Sequence, residues 1–218
     1  MTEKPMTQDD DARPLAAADR LALIEEQHAR VASALDVDER LLYSVWGLAW
    51  LIGFAGLYAT AGSDPLIDLP HEGAVGALLA LLVAAAVLTA VHIARATRGL
   101  RGVSSVTGAM YGWTWMLAFA ALPVLIASAE RLGVSDEALD MLWTTLPGLL
   151  VGVLYMVGGA LWQDRFQFGL GVWILASTSL GSLAGLPGVY LVLSLAGGGG
   201  MLAAAAWFAV RRRRGAAR

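Results

Sequence analysis

Residues 166–210 read FQFGLGVWILASTSLGSLAGLPGVYLVLSLAGGGGMLAAAAWFAV, forty-five positions without one charged side chain. As one helix at about 1.5 Å per residue the stretch would reach about 68 Å, twice a hydrocarbon core of about 30 Å. Near its middle stands Gly185-Leu186-Pro187-Gly188, and Gly and Pro there end one helix and begin the next. The stretch therefore reads as two antiparallel spans, 166–184 and 188–210. Uncharged runs at 41–63, 73–94, 102–129 and 141–163 each exceed the 18 or so residues that nominate a span. The expected fold is all-α: six transmembrane helices in three hairpins.

Composition agrees with this reading. The 218 residues are 57% hydrophobic and 15% charged, with mean hydropathy +0.63, whereas a soluble domain carries roughly a quarter charged residues. The absence of cysteine excludes disulfides, thiol catalysis and Cys-ligated metal centres. Fourteen of the fifteen basic residues are Arg, and Ala and Gly abound, a pattern that suits a GC-rich bacterial genome. A net charge of −3 gives no reason to expect a nucleic-acid partner. Ala59-Thr60-Ala61 resembles a signal cleavage site, but the apolar stretch before it is of full span length and follows a polar, acidic leader.

Charge sets the expected orientation. With six spans and the N-terminus inside, fourteen of the fifteen basic residues fall on the cytoplasmic side, and Arg131 alone falls outside. Five spans would place Arg211, Arg212, Arg213 and Arg214 outside, against the positive-inside rule. The expected location is the inner membrane with both termini in the cytoplasm. Tyr43, Trp46, Tyr111, Trp113, Trp115, Trp162, Trp207 and Phe208 fall near inner ends, and Tyr58, Trp143 and Tyr190 near outer ends. They fit a lipid-interface belt; an aromatic ligand cage is the alternative.

Residues 1–14, with Asp9-Asp10-Asp11 and Pro14, read as a disordered tail. Residues 15–37 read as an amphipathic helix, with Leu21, Ile24, His28, Val31 and Leu35 on one face, lying on the membrane or docking a cytoplasmic partner. The six-span domain covers 38–210, and Asp36 and Glu39 have capping-box spacing at its start. Arg95 to Thr107 reads as the longest inner loop, holding three arginines, Ser104 and Ser105; it anchors topology or presses on an ATPase. Residues 211–218 form a basic cytoplasmic tail, a stop signal and contact for anionic lipid.

WGLAWLIGFAGL at 46–57 and YGWTWMLAFAAL at 111–122 match at five of twelve positions, at an offset of 65. The match points to a parallel hairpin repeat.

The spans carry no Asp, Glu, Lys or Arg, the ionisable side chains that proton-driven carriers usually keep as relays. No HExxH, G-x-S-x-G or P-loop occurs, so neither an enzyme nor a cofactor is expected. His92, one turn before Arg95, reads as an interfacial solvated or capping residue, or a gate. The candidate site is polar and uncharged. Gly197, Gly198, Gly199 and Gly200 stand in the middle of the last span, with Ser177, Thr178, Ser182 and Ser194 at similar depth; Thr144, Thr145 and Pro147 lie in the outer half of the fourth. Four consecutive glycines each cost a helix about 1 kcal/mol against Ala, so the run serves close packing or a locally unwound helix beside a cavity. Gly148/Gly152 and Gly181/Gly185 are GxxxG pairs through which a homo-oligomer would form.

MYGWTW at 110–115, GGALWQDR at 158–165 and YLVLSLAGGGG at 190–200 together resemble a group of six-span bacterial inner-membrane proteins loosely labelled transporters. The resemblance covers roughly residues 20–214 and implies no site residues. The leader helix, six spans and basic inner loop are also similar to permease subunits of ABC exporters, although the loop after span five is much shorter here. The expected function is a transport-related, permease-like subunit with a separate ATPase, its substrate uncharged or lipophilic. The alternative is a non-transporting membrane module that docks a cytoplasmic regulator through residues 15–35.

Overall fold

The computed structural model describes residues 38–96 and 103–216, and the expected tail at 1–14, helix at 15–37 and Asp36 cap lie outside them. The described chain is helical: α1 Glu39–Thr60, α2 His71–Ala96, α3 Val103–Arg131, α4 Asp136–Leu161, α5 Arg165–Gly181, α6 Gly185–Val192 and α7 Gly199–Ala216. A 3₁₀ turn at Ser182–Ala184 follows α5, and a π-helical turn at Leu193–Gly198 joins α6 to α7.

Five helical stretches are long and apolar enough to cross a membrane, and the last, Arg165–Arg214, is 50 residues long. That stretch is not one rod. Gly185 takes φ 64°, a left-handed backbone open mainly to glycine, Leu186 is extended, and Pro187 has no N–H to offer a preceding turn. The chain doubles back there. Trp173 Nε1 donates to the Ala196 carbonyl at 2.9 Å, although the two would stand about 34 Å apart along a continuous helix.

Local chemistry sets the other boundaries. The carboxylate of Asp38 caps α1, accepting from the Arg40 N–H, so the cap stands two residues beyond Asp36. Asp164 caps α5 by accepting from the N–H groups of Phe166 and Gln167. Gly133, at φ 81°, turns the chain between α3 and α4. One expectation needs correction. Arg95 lies in the last turn of α2, which ends at Ala96, and Val103 already begins α3, so the link is residues 97–102 rather than all of Arg95 to Thr107. Arg211, Arg212, Arg213 and Arg214 belong to α7, where cations suit the C-terminal end of the helix dipole.

Packing runs as a row. Helix α2 lies on α1; α1 lies on α6, the π turn and α7; these meet α5; α5 lies on α4, and α4 on α3. The two ends of the row differ from its middle: 11% of the apolar window of α2 and of α3 is buried, against 39% for α1 and α4 and 50% for Arg165–Arg214. The buried core joins Trp50, Phe54 and Leu57 of α1 to Ile174 of α5, Val189, Leu193 and Met201.

Candidate functional site

The candidate residues fall on two glycine-lined seams. On the first, α7 and the π turn meet α1. A Cβ on Gly198 would lie 2.5 Å from the Leu51 amide nitrogen and 2.8 Å from the Gly47 carbonyl oxygen. A Cβ on Gly47 would in turn meet the Gly198 carbonyl at 3.0 Å and Leu202 at 2.9 Å. Gly197 receives the Trp50 ring, 2.7 Å from where a Cβ would stand. Gly200 faces the Trp173 indole instead, and Gly199 meets nothing within 4 Å. Three of the four glycines thus admit a neighbour that a methyl group would displace. Ser194 ties the same seam, its hydroxyl donating to the Leu51 carbonyl at 2.8 Å. The π turn ends at Gly198, so local unwinding and close packing coincide.

On the second seam α4 lies on α5. Cβ atoms on Gly152 and Gly171 would fall within 3 Å of the facing backbone, at Leu175 and Met156 respectively. Gly148, beside Pro147, sits under Thr178, whose Oγ1 lies 2.8 Å from its Cβ position. Thr178 is 1% exposed and its hydroxyl has no hydrogen-bond partner. The other hydroxyls turn back to their own helices: Thr144 to the Asp140 carbonyl, Thr145 to Met141, Ser182 to Ser179. Ser177 is buried. The seams bring together Ser194 with Gly198, and Thr178 with Gly148, and the hydroxyls do not converge on one space. Within this chain the GxxxG glycines already serve internal contacts: Gly148 and Gly152 hold α4 against α5, Gly181 faces Val192, and Gly185 is the reversal itself.

Polar contacts that the sequence did not reveal pin α1 to α2. His92 Nε2 accepts from the Asp38 N–H at 3.0 Å, which requires the ring proton on Nδ1. His92 is thus a capping partner for the neighbouring helix. Further along, Trp46 Nε1 donates to Thr89 Oγ1 at 2.9 Å, and at the far end Thr60 Oγ1 pairs with His71 Nδ1 at 3.0 Å. Beside His92, the Arg40 guanidinium lies 2.7 Å from the Asp38 carboxylate and holds that carboxyl below its ordinary value.

The aromatic residues divide as well. Trp113, Trp162 and Trp207 are exposed, as a belt requires. Tyr43 is not: it is buried, packing on Tyr155, Phe166 and Phe208, and Tyr155 meets Trp115 in turn. These rings pack against one another between the helices. Among the described residues no three of His, Asp and Glu gather in a way that would hold a metal ion.

These features define a helical bundle of membrane-like composition held by glycine seams. No protein-family model, no curated protein and no solved structure matches the chain.

Proposed function

We propose that the chain is a six-span inner-membrane protein with both termini in the cytoplasm, acting as a permease-like transport subunit beside a separate ATPase, for an uncharged or lipophilic substrate. The observation that carries the reading is the break in the helix row. Helix α2 packs on α1 and α3 packs on α4, but α2 and α3 form no extended interface with each other. They are consecutive in the chain, and the arginine-bearing link 97–102 lies between them. A push on that link would move the two least buried helices and leave the seams intact. A lateral opening between them suits a substrate that enters from lipid, and spans without Asp, Glu, Lys or Arg suit one without charge. The reversal at Gly185 supports counting Arg165–Arg214 as two crossings, and six crossings keep Arg211–Arg214 inside.

Two experiments test the reading. Reporter fusions after Asp68, Gly133 and Leu186 should be periplasmic, and those after Gly102 and Arg214 cytoplasmic; a periplasmic C-terminus contradicts six spans. For function, the intact protein is purified from mild detergent and its partners identified, beside a deletion of residues 1–35. An ATP-hydrolysing subunit should accompany it, and spin labels at Val91→Cys and Val106→Cys should change separation when ATP is added. A regulator captured through residues 1–35, with that separation unmoved by ATP, would instead establish the docking-module reading.

A further inference from the structure

A groove of about 510 Å³ runs along the face where α5 and α7 meet. Its floor is small: Gly169 from α5, and Gly200, Ala203 and Ala204 from α7. Trp173 and Trp207 line it and remain half exposed, at 52% and 59%. Arg165 stands at one end. The only polar atom of the Trp173 ring is already committed to the Ala196 carbonyl, so the indole offers the groove an apolar surface.

We infer that this groove holds one acyl chain of an anionic phospholipid from the cytoplasmic leaflet, with the lipid phosphate against Arg165 and the arginines that end α7. The inference rests on the reading of the chain as a membrane bundle with Arg165 on the cytoplasmic side. Two observations carry it. The first is length: Arg165 to Trp173 is eight residues, about 12 Å of helix, close to the roughly 15 Å of hydrocarbon in one leaflet. The groove thus starts at the interface and ends near the midplane, as one acyl chain does. The second is charge. The floor stripe of Gly200, Ala204 and Trp207 continues at helical spacing to Arg211 and Arg214, so the cations of both helices gather at one end. The one carboxylate adjacent in sequence to Arg165, that of Asp164, is turned to the N–H groups of Phe166 and Gln167 at 2.8 and 3.1 Å. Among the described residues Arg165, Arg211, Arg212, Arg213 and Arg214 enter no salt bridge. A basic recess between membrane helices on the cytoplasmic side is the arrangement that retains an anionic headgroup, and guanidinium groups bind phosphate bidentately.

The test uses the full-length protein in nanodiscs containing, as a minor component, phosphatidylglycerol or phosphatidylcholine with brominated acyl chains, which quench nearby tryptophan. Subtracting the Trp207→Phe variant isolates the signal of Trp207. Quenching by the anionic lipid should exceed that by the zwitterionic lipid at least about fivefold, the ratio that about 1 kcal/mol from a single arginine gives. Gly169→Leu should bring quenching by both lipids to one low, equal level. The Cβ of that residue meets nothing within 4 Å, so its side chain fills the groove without displacing the helices, and an unchanged melting temperature verifies this. Arg165→Gln should lower the anionic preference alone. Equal quenching by both lipids in the wild type, or anionic quenching that survives Gly169→Leu, overturns the inference. So does a Trp207 shielded from both lipids, which would mean that a second copy or another protein covers this face. Both nanodisc leaflets are identical, so the measurement is blind to orientation; an error in sidedness would appear in the reporter fusions and not here.

Discussion

Residues 46–57 of α1 and 111–122 of α3 carry matching patterns in opposite surroundings. Gly47 approaches the Gly198 carbonyl, whereas a Cβ on Gly112 would meet nothing within 4 Å. Trp50 is 4% exposed and lies across Gly197; Trp115 is only partly buried, stacked flat on Phe119. Both helices are apolar all round, so neither has a polar face to mark the lipid side. Lipid is as apolar as leucine and gives apolar side chains no drive to leave it, so burial follows shape. Helix α1 is interior because a second segment, Gly197-Gly198, brings backbone bare enough to meet Gly47. No described segment does this for Gly112.

The largest effect should come from breaking that asymmetry. Gly47→Leu should lower stability in detergent by about 2–3 kcal/mol, the cost of forcing a large side chain into a packed contact, while Gly112→Leu stays within about 0.5 kcal/mol. Equal losses at the two sites would mean that Gly112 is covered too. On the second seam, Thr178→Val replaces an unpartnered buried hydroxyl with a methyl of the same shape and should raise stability by about 1 kcal/mol. A loss in the thermal melt would show that the hydroxyl has a partner. The smallest effect concerns the start of α1. The Asp38 carboxyl is held below its ordinary value of 3.8, first by its hydrogen bond to Arg40. Its contribution is therefore complete above that value and is lost as pH falls through the lowered one. The pair is a third exposed, so screening limits the contribution to about 0.5 kcal/mol. Asp38→Asn keeps a capping side chain, so wild type should exceed it slightly at pH 6, and the gap should shrink steadily as the pH is lowered below 3.8. A gap that does not shrink on acidification would remove the ion pair as its cause.

The long elements were legible in the sequence because an uncharged run of span length has few alternatives to a helix. The reversal at Gly185-Leu186-Pro187 was legible because glycine and proline carry their backbone preferences wherever they stand. The exact helix ends were less so. Asp36 and Asp38 are equally good caps in one dimension, and only the fold shows Asp38 N–H meeting His92. Of the candidate residues, the sequence singled out the glycine run but not its division of labour, since facing Trp50, Leu51, Trp173 or nothing depends on helices far away in sequence. The hydroxyls looked like a shared polar patch by depth, yet rotation about each helix sends them to different neighbours. The aromatic residues were read by depth alone, which does not separate Tyr43 inside the bundle from Trp207 outside it.

The glycine run is a packed seam rather than flexible chain beside a cavity. Adjacent alanine substitutions at Gly198 and Gly199 test it most directly, because the two share composition, depth and helix and differ in what they face. In thermal melts of the purified protein, Gly198→Ala should lose about 1–3 kcal/mol, since its methyl strikes the α1 backbone. Gly199→Ala should hold or gain up to about 1 kcal/mol, since its methyl meets open space and alanine favours the helix. If both alanines stabilise alike, α1 and α7 do not meet at Gly198 and the glycine run is not a packed seam.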